Sequence, residues 1–206
     1  MVPFLNRYTS LPVLLDTLTH QRLTLLSPES WEDRNDAYYI ERYKQEKNLK
    51  TVLALCFTTK RETFHHWKVF SSGSSGVCIE FNKDLLLENF PKNDGFRYGN
   101  VSYRYIKNVQ AHRPALKDWP FLKRQPFSDE GEFRIVYENK TKVEKTKTIP
   151  FQIECIMKIS LSPWLPDSIS KTVIDAVKSL NNGNTIRINR STLLESAKWR
   201  AAIEET

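Results

Sequence analysis

The sequence predicts an α+β fold in a single domain spanning residues 1–206, a mixed or antiparallel split β-sheet flanked by helices. Three observations point there. About six candidate strands and five or six candidate helices follow one another without a steady strand–helix–strand alternation. Charged residues are 27% and apolar residues 40%, a composition that supports a packed core and excludes a disordered chain. No internal repeat or linker-like stretch interrupts the 206 residues, a length that one domain accommodates.

The elements read in order as follows. Ser10 stands as an N-cap before a helix over Leu11 to His20, with Pro12 in its first turn and Leu11, Leu14, Leu15 and Leu18 at helical spacing. Arg22 to Leu26 is a short strand. Ser27 to Asp36 is a polar loop, and a tyrosine-rich helix runs from Asp36 to Lys47. Thr51 to Thr58 is a buried strand, Glu62 to Phe70 a short aromatic helix, and Val77 to Phe81 a further strand. Asn82 caps a helix reaching Phe90. Phe96 to Ile106 reads as one strand, and Pro114 and Pro120 limit any helix between His112 and Lys123. Glu132 to Glu138 and Phe151 to Ser160 are strands, and the lysine-rich stretch 140–147 is a hairpin loop. An amphipathic helix spans Pro166 to Leu180, closed by Asn181-Asn182-Gly183. A strand over Thr185 to Ile188 and a helix near Leu193 to Ile203 complete the chain.

Composition narrows the function classes. No apolar run approaches the roughly 18 residues of a membrane span. The N-terminus lacks the sections of a signal peptide, so a cytoplasmic protein without membrane attachment is expected. Cys56, Cys78 and Cys155 are widely spaced within apolar runs, as reduced buried thiols are, and no metal-ligand spacing is present. The formal charge of +7 permits a nucleic-acid partner without requiring one.

Four segments hold residues with chemical potential. In Glu130-Gly131-Glu132-Phe133-Arg134, strand alternation sets Glu130, Glu132 and Arg134 on one face and Phe133 on the other. That charged face admits two readings, a cleft lining or a solvated sheet face with a weak ion pair. Arg7 and Tyr8 precede a helix N-terminus, where an anion could bind, or belong to an edge strand. Ser27 to Asp36 could wall a ligand or form a turn held by Asx bonds. Thr58, His66, Trp67 and Phe70 lie in the fourth segment, where aromatics at helical spacing suit a core as well as a ligand. A metal nuclease would bring a lysine to its acidic residues, and none follows Glu132 at short strand spacing.

The order of these segments resembles a bacterial family classed as a domain of unknown function, numbered 2971. Its motifs are matched by Arg7-Tyr8-Thr9-Ser10, by Ser27-Pro28-Glu29-Ser30-Trp31-Glu32-Asp33 and by Cys56-Phe57-Thr58. They are matched further by His66-Trp67-Lys68-Val69-Phe70, by Gly76 to Phe81 and by Phe127 to Arg134. The family's Asn-Asp pair is Glu32-Asp33 here, its helix Met and Tyr are His66 and Phe70, and its Trp and Tyr before the glutamates are Phe127 and Asp129. That pattern is itself similar to ADP-ribosyltransferases, including the nucleic-acid-modifying toxins. The resemblance implies an ADP-ribosyltransferase-like fold and an NAD-consuming transferase of toxin or phage-defence type, acting on nucleic acid or protein. It implies Glu132 as the catalytic carboxylate and Glu130 as the residue steering the acceptor. It also implies NAD contacts from Arg7, Tyr8, Thr58, Trp67 and Phe70, no metal, and a neutralising or sensor protein as a partner. The alternatives are a binding module that keeps the fold with a degraded site, and a metal-dependent nuclease.

Overall fold

The computed structural model describes residues 3–91, 94–180 and 186–204. In chain order the elements are β1 (Phe4–Ser10), α1 (Leu11–His20), β2 (Arg22–Leu26), α2 (Arg34–Glu46), β3 (Thr51–Thr58), α3 (Phe64–Phe70), β4 (Gly76–Asn82) and α4 (Lys83–Glu88). Then come β5 (Phe96–Asn100), β6 (Ser102–Arg104), α5 (Ile106–Ala111), β7 (Leu122–Arg124), β8 (Glu132–Asn139), β9 (Thr146–Pro150), β10 (Ile156–Leu161), α6 (Asp167–Ser179), β11 (Arg187–Arg190) and α7 (Ala197–Glu204). The class is α+β, with sheets that mix antiparallel and parallel pairs. Among the described residues, no helix is long and apolar enough to cross a membrane.

The chain divides into two compact units, each assembled from separate stretches. The first takes Met1–Gln21, Lys60–Lys83 and Gln152–Thr206; the second takes Arg22–Thr59 and Asp84–Phe151. In the first unit β1 pairs antiparallel with β4, β4 with β10, and β10 runs parallel to β11. Its strands bury Leu5, Ile79, Phe81 and Ile159 completely, and Leu14 and Leu18 of α1 are buried with them. Apolar burial of this kind contributes roughly 1.5–3 kcal/mol per large side chain. Ser10 is extended at the N-cap position of α1 but makes no side-chain capping bond.

In the second unit the sheet order is β9-β2-β3-β8-β5, antiparallel throughout. β6 and β7 form a separate parallel pair. Ile40, Tyr43, Leu49, Val52 and Val136 make a core cluster, against which Trp31, Leu116, Trp119 and Phe121 pack.

Several expectations are corrected. The segment from Phe96 to Ile106 is two strands, because the chain leaves β8 after Asn100 and pairs next with β7. The stretch 140–147 is no hairpin loop, since β9 pairs with β2 rather than with β8. Helix α2 begins at Arg34, where the Asp33 side chain accepts from the N–H groups of Asn35 and Asp36. The expected strand from Phe151 to Ser160 starts only at Ile156, after a 3-10 turn over Ile153–Cys155. The Asn181-Asn182-Gly183 stop and Thr185 lie outside the described residues.

Candidate functional site

In the second unit, β8 carries the Glu132–Arg134 segment opposite β3, with Thr58 facing Glu132 and Cys56 facing Arg134 in register. The strand begins at Glu132. Glu130 belongs instead to a 3-10 turn, Gln125–Glu130, which corrects its placement on the strand. Gly131 closes that turn in the left-handed region, φ 53° and ψ 44°, a conformation that favours glycine. The Thr58 hydroxyl donates to the Glu130 carbonyl at 2.6 Å, and the Thr59 N–H and hydroxyl bond to the Gly131 carbonyl at 2.9 and 3.0 Å. Thr58 therefore fixes the turn that presents both glutamates.

The solvated-face reading fails. Glu130 and Glu132 are each 7% exposed and Arg134 is fully buried. Arg134 Nε and Nη2 donate to the two oxygens of Glu132 at 2.8 and 2.9 Å. Its Nη1 and Nη2 donate to Asp36 of α2 at 3.1 and 2.7 Å, and Nη1 also reaches the Pro120 carbonyl at 2.7 Å. The Trp31 ring lies 4.6 Å from the guanidinium carbon. The fork geometry explains the residue type, since an arginine alone can grip two carboxylates and a carbonyl at once.

Lys123 of β7 joins the cluster from the other side. Its ammonium donates to Glu130 at 2.6 Å and to Glu132 at 3.4 Å, and lies 3.8 Å from Asp36. Tyr103 accepts the backbone N–H of Glu132 at 2.8 Å. Neither Asp36 nor Lys123 was foreseen from spacing. The sequence sets Asp36 at the junction of the polar loop and the tyrosine-rich helix, and Lys123 precedes the glutamates on a different strand. The capping Asp33 was the available signal, because it sets the helical face that carries Asp36.

Three buried carboxylates against two cations leave one negative charge in excess if all are ionised. Burial opposes charge on Glu132, but Arg134 and then Lys123 outweigh it and hold the carboxyl down at about 2. Burial prevails at Glu130, pushing it above the usual carboxylate range against the pull of Lys123. It prevails likewise at Asp36 against Arg134. Burial also pushes the Cys56 thiol up, and the Glu132 charge adds to that effect. The neighbouring glutamates are thus shifted in opposite directions, the arrangement from which acid and base roles are built.

A cavity of about 920 Å³ opens in the same unit. Asp36 and Lys123 stand in its wall, together with Arg104, Arg113 and Arg124 and the rings of Tyr39 and Trp119. Those rings meet edge to face at 5.9 Å. With both Asp36 oxygens and both Glu132 oxygens held by Arg134, a metal ion would have to displace the guanidinium to use them. Among the described residues no group of three or more His, Cys, Asp or Glu is arranged to hold one.

In the first unit, β1 carries Arg7 and Tyr8 opposite Ile79 and Cys78 of β4. The Tyr8 ring stacks on His66 at 5.5 Å and meets Trp67 edge-on at 5.1 Å. Burial raises its hydroxyl well above the usual tyrosine range. Trp67 is fully buried, its indole N–H donating to Glu62 at 2.7 Å, and Glu62 also bonds Ser191. Trp67 is therefore a core residue here, with no surface to offer a ring. His66 is likewise buried, with Nδ1 2.5 Å from the Thr63 hydroxyl. Phe70 is different: it packs on His66 at 5.8 Å yet stays 40% exposed.

The fold and these two clusters define an α+β protein with a buried carboxylate–arginine centre in its second unit. No protein-family model and no curated protein matches the chain, so the motif order remains a resemblance to the family numbered 2971. Among solved structures the chain is similar to Thermus sp. 2.9 DarT in complex with ADP-ribosylated ssDNA, at 12% identity and a TM-score of 0.47, covering 92% of this chain and 94% of that one. The same protein in complex with NAD+ matches at 10% identity and 0.47, covering 92% and 96%. Its complex with carba-NAD+ matches at 8% and 0.46, with the same coverage.

Proposed function

We propose that the chain is an NAD-dependent ADP-ribosyltransferase of toxin or defence type, with nucleic acid as its acceptor. The observation that carries this reading is a carboxylate, Glu132, held ionised while buried at the head of β8, opposite a hydroxyl residue on β3. Cleaving the nicotinamide–ribose bond builds positive charge on the ribose, as glycoside cleavage does. A fixed anion in a dry site stabilises that charge far more than one in water. Glu132 takes that role, and Arg134 keeps its charge and orientation. Glu130, whose carboxyl titrates higher, would accept the proton of the incoming acceptor. Within the first unit, Arg7 is the candidate phosphate contact, and Phe70 with Tyr8 the candidate ring contacts. Thr58 acts through the Gly131 turn, and Trp67 supports Tyr8 from the core.

The cavity supports nucleic acid as the acceptor. Arg104, Arg113 and Arg124 offer phosphate contacts beside the Tyr39 and Trp119 rings, the pairing that single-stranded nucleic acid uses. The net charge of +7 agrees.

A second reading has an observation of its own. Both Glu132 oxygens are bound by Arg134, so the cluster also suits a structural centre in a non-catalytic binding module. Incubation with labelled NAD and single-stranded nucleic acid separates the two. Label transfer that disappears in Glu132→Gln, with folding verified by circular dichroism, supports the transferase. Salt-sensitive nucleic-acid binding without NAD loss supports the module, and magnesium-dependent cutting without NAD would point to a nuclease.

A further inference from the structure

We infer that Lys123 is a positioning residue for the glutamate pair, holding Glu130 ionised and turned toward Glu132. This rests on the transferase reading for its catalytic consequence. The geometry carries it. One ammonium, with its side chain 8% exposed, binds Glu130 on the 3-10 turn and Glu132 on β8 at 2.6 and 3.4 Å, and lies 3.8 Å from Asp36 on α2. Its strand, β7, is held in place by β6, with Lys123 facing Tyr103 in register. The ammonium sits 5.1 Å from the Phe127 ring centre, which covers it further.

Lys123 Nζ donates to Glu130 at 2.6 Å. Arg134 is spent on Glu132, Asp36 and the Pro120 carbonyl. The groups facing Glu130 are Lys123 from β7, Glu132 from β8, Asp36 from α2 and Tyr103 from β6. Lys123 favours the ionised form through its hydrogen bond and its charge. The two carboxylates oppose it, and burial opposes it most.

Lys123 also stands in the cavity wall, whereas Glu130 and Glu132 do not line the cavity. Removing the ammonium leaves Glu130 buried beside two other carboxylates and shifts its proton affinity upward. The protonated form, which cannot take the acceptor's proton, is then favoured.

The test compares Lys123→Met with Lys123→Arg in the full chain. NAD consumption is followed from pH 5 to 9.5 with single-stranded nucleic acid. In parallel, carbon-13 NMR of labelled glutamate carboxyls follows the Glu130 signal, assigned with Glu130→Gln. In Lys123→Met the acid limb of the rate profile and the Glu130 titration move up together. Activity at neutral pH then falls at least tenfold and largely recovers at the alkaline end. Lys123→Arg restores the neutral-pH rate to within a few-fold. A uniform loss at every pH, or an unmoved Glu130 titration in folded Lys123→Met, overturns the inference. Absence of NAD loss in the wild-type chain overturns the transferase reading instead. The NMR titration then still decides whether Lys123 holds Glu130 ionised.

Discussion

Replacing Arg134 by methionine removes the guanidinium that joins β8, α2 and the Pro120 carbonyl while keeping a side chain of similar length. Five donations are lost: two to Glu132, two to Asp36 and one to Pro120. Glu132 and Asp36 are left with Lys123 as the near cation, at 3.4 and 3.8 Å. Breaking a fully buried pair on one side costs about 3–5 kcal/mol, because the remaining charges are uncompensated. For a chain of this size each kcal/mol moves the melting temperature by roughly 2–4 °C, so a fall of roughly 6–20 °C is expected. The assay is urea and thermal unfolding at pH 7, followed by tryptophan fluorescence. The penalty has a pH signature: without Arg134 the carboxylates bind protons readily, so the difference from wild type shrinks as pH falls toward 4. A loss under about 1 kcal/mol at pH 7 would refute the reasoning, since surface pairs alone have that value. A penalty independent of pH would refute its electrostatic part.

Three further outcomes follow from the same geometry. Glu132 titrates at about 2 in the folded chain against an ordinary 4.5, worth about 3 kcal/mol of stability. Because its folded value is depressed, that stability is complete above the unfolded value and is lost as pH falls from about 4.5 to about 2; Glu132→Gln should flatten acid unfolding over that window, as read by circular dichroism. Thr58→Val removes the hydroxyl donation to the Glu130 carbonyl at 2.6 Å and should cost about 1–3 kcal/mol in urea unfolding, because that buried carbonyl loses a donor. Gly95 has φ +77°, and a Cβ there would lie 2.2 Å from the Glu138 carbonyl oxygen. Gly95→Ala should therefore destabilise by at least roughly 1–3 kcal/mol, and an unchanged melting temperature would show that the turn yields.

Local elements were legible wherever a local signal existed. Leucines at helical spacing with a proline in the first turn marked α1 to the residue, and the apolar run Thr51–Thr58 marked β3. The pairing of Glu132 with Arg134 was visible as same-face spacing along one strand. Alternation says which side chains share a face, but it does not say whether that face is wet or dry. The charged face of β8 is dry because Asp36 and Lys123, 98 and 11 residues from Arg134 in the chain, are brought to it by α2 and β7. The αL turn at Gly131 was equally hidden, since glycine in a charged run also suits a strand.

Sequence by itself determined the class of fold, the candidate glutamates and the aromatic segments, because propensity, capping and hydrophobic period act over a few residues. Tertiary structure decided which of those groups are charged, buried or spent. It turned Thr58 toward the chain rather than a ligand, enclosed Trp67, left Phe70 in part exposed, and set Glu130 and Glu132 in opposite electrostatic environments. Those outcomes depend on desolvation and on charges supplied by remote strands and helices, which no local pattern encodes.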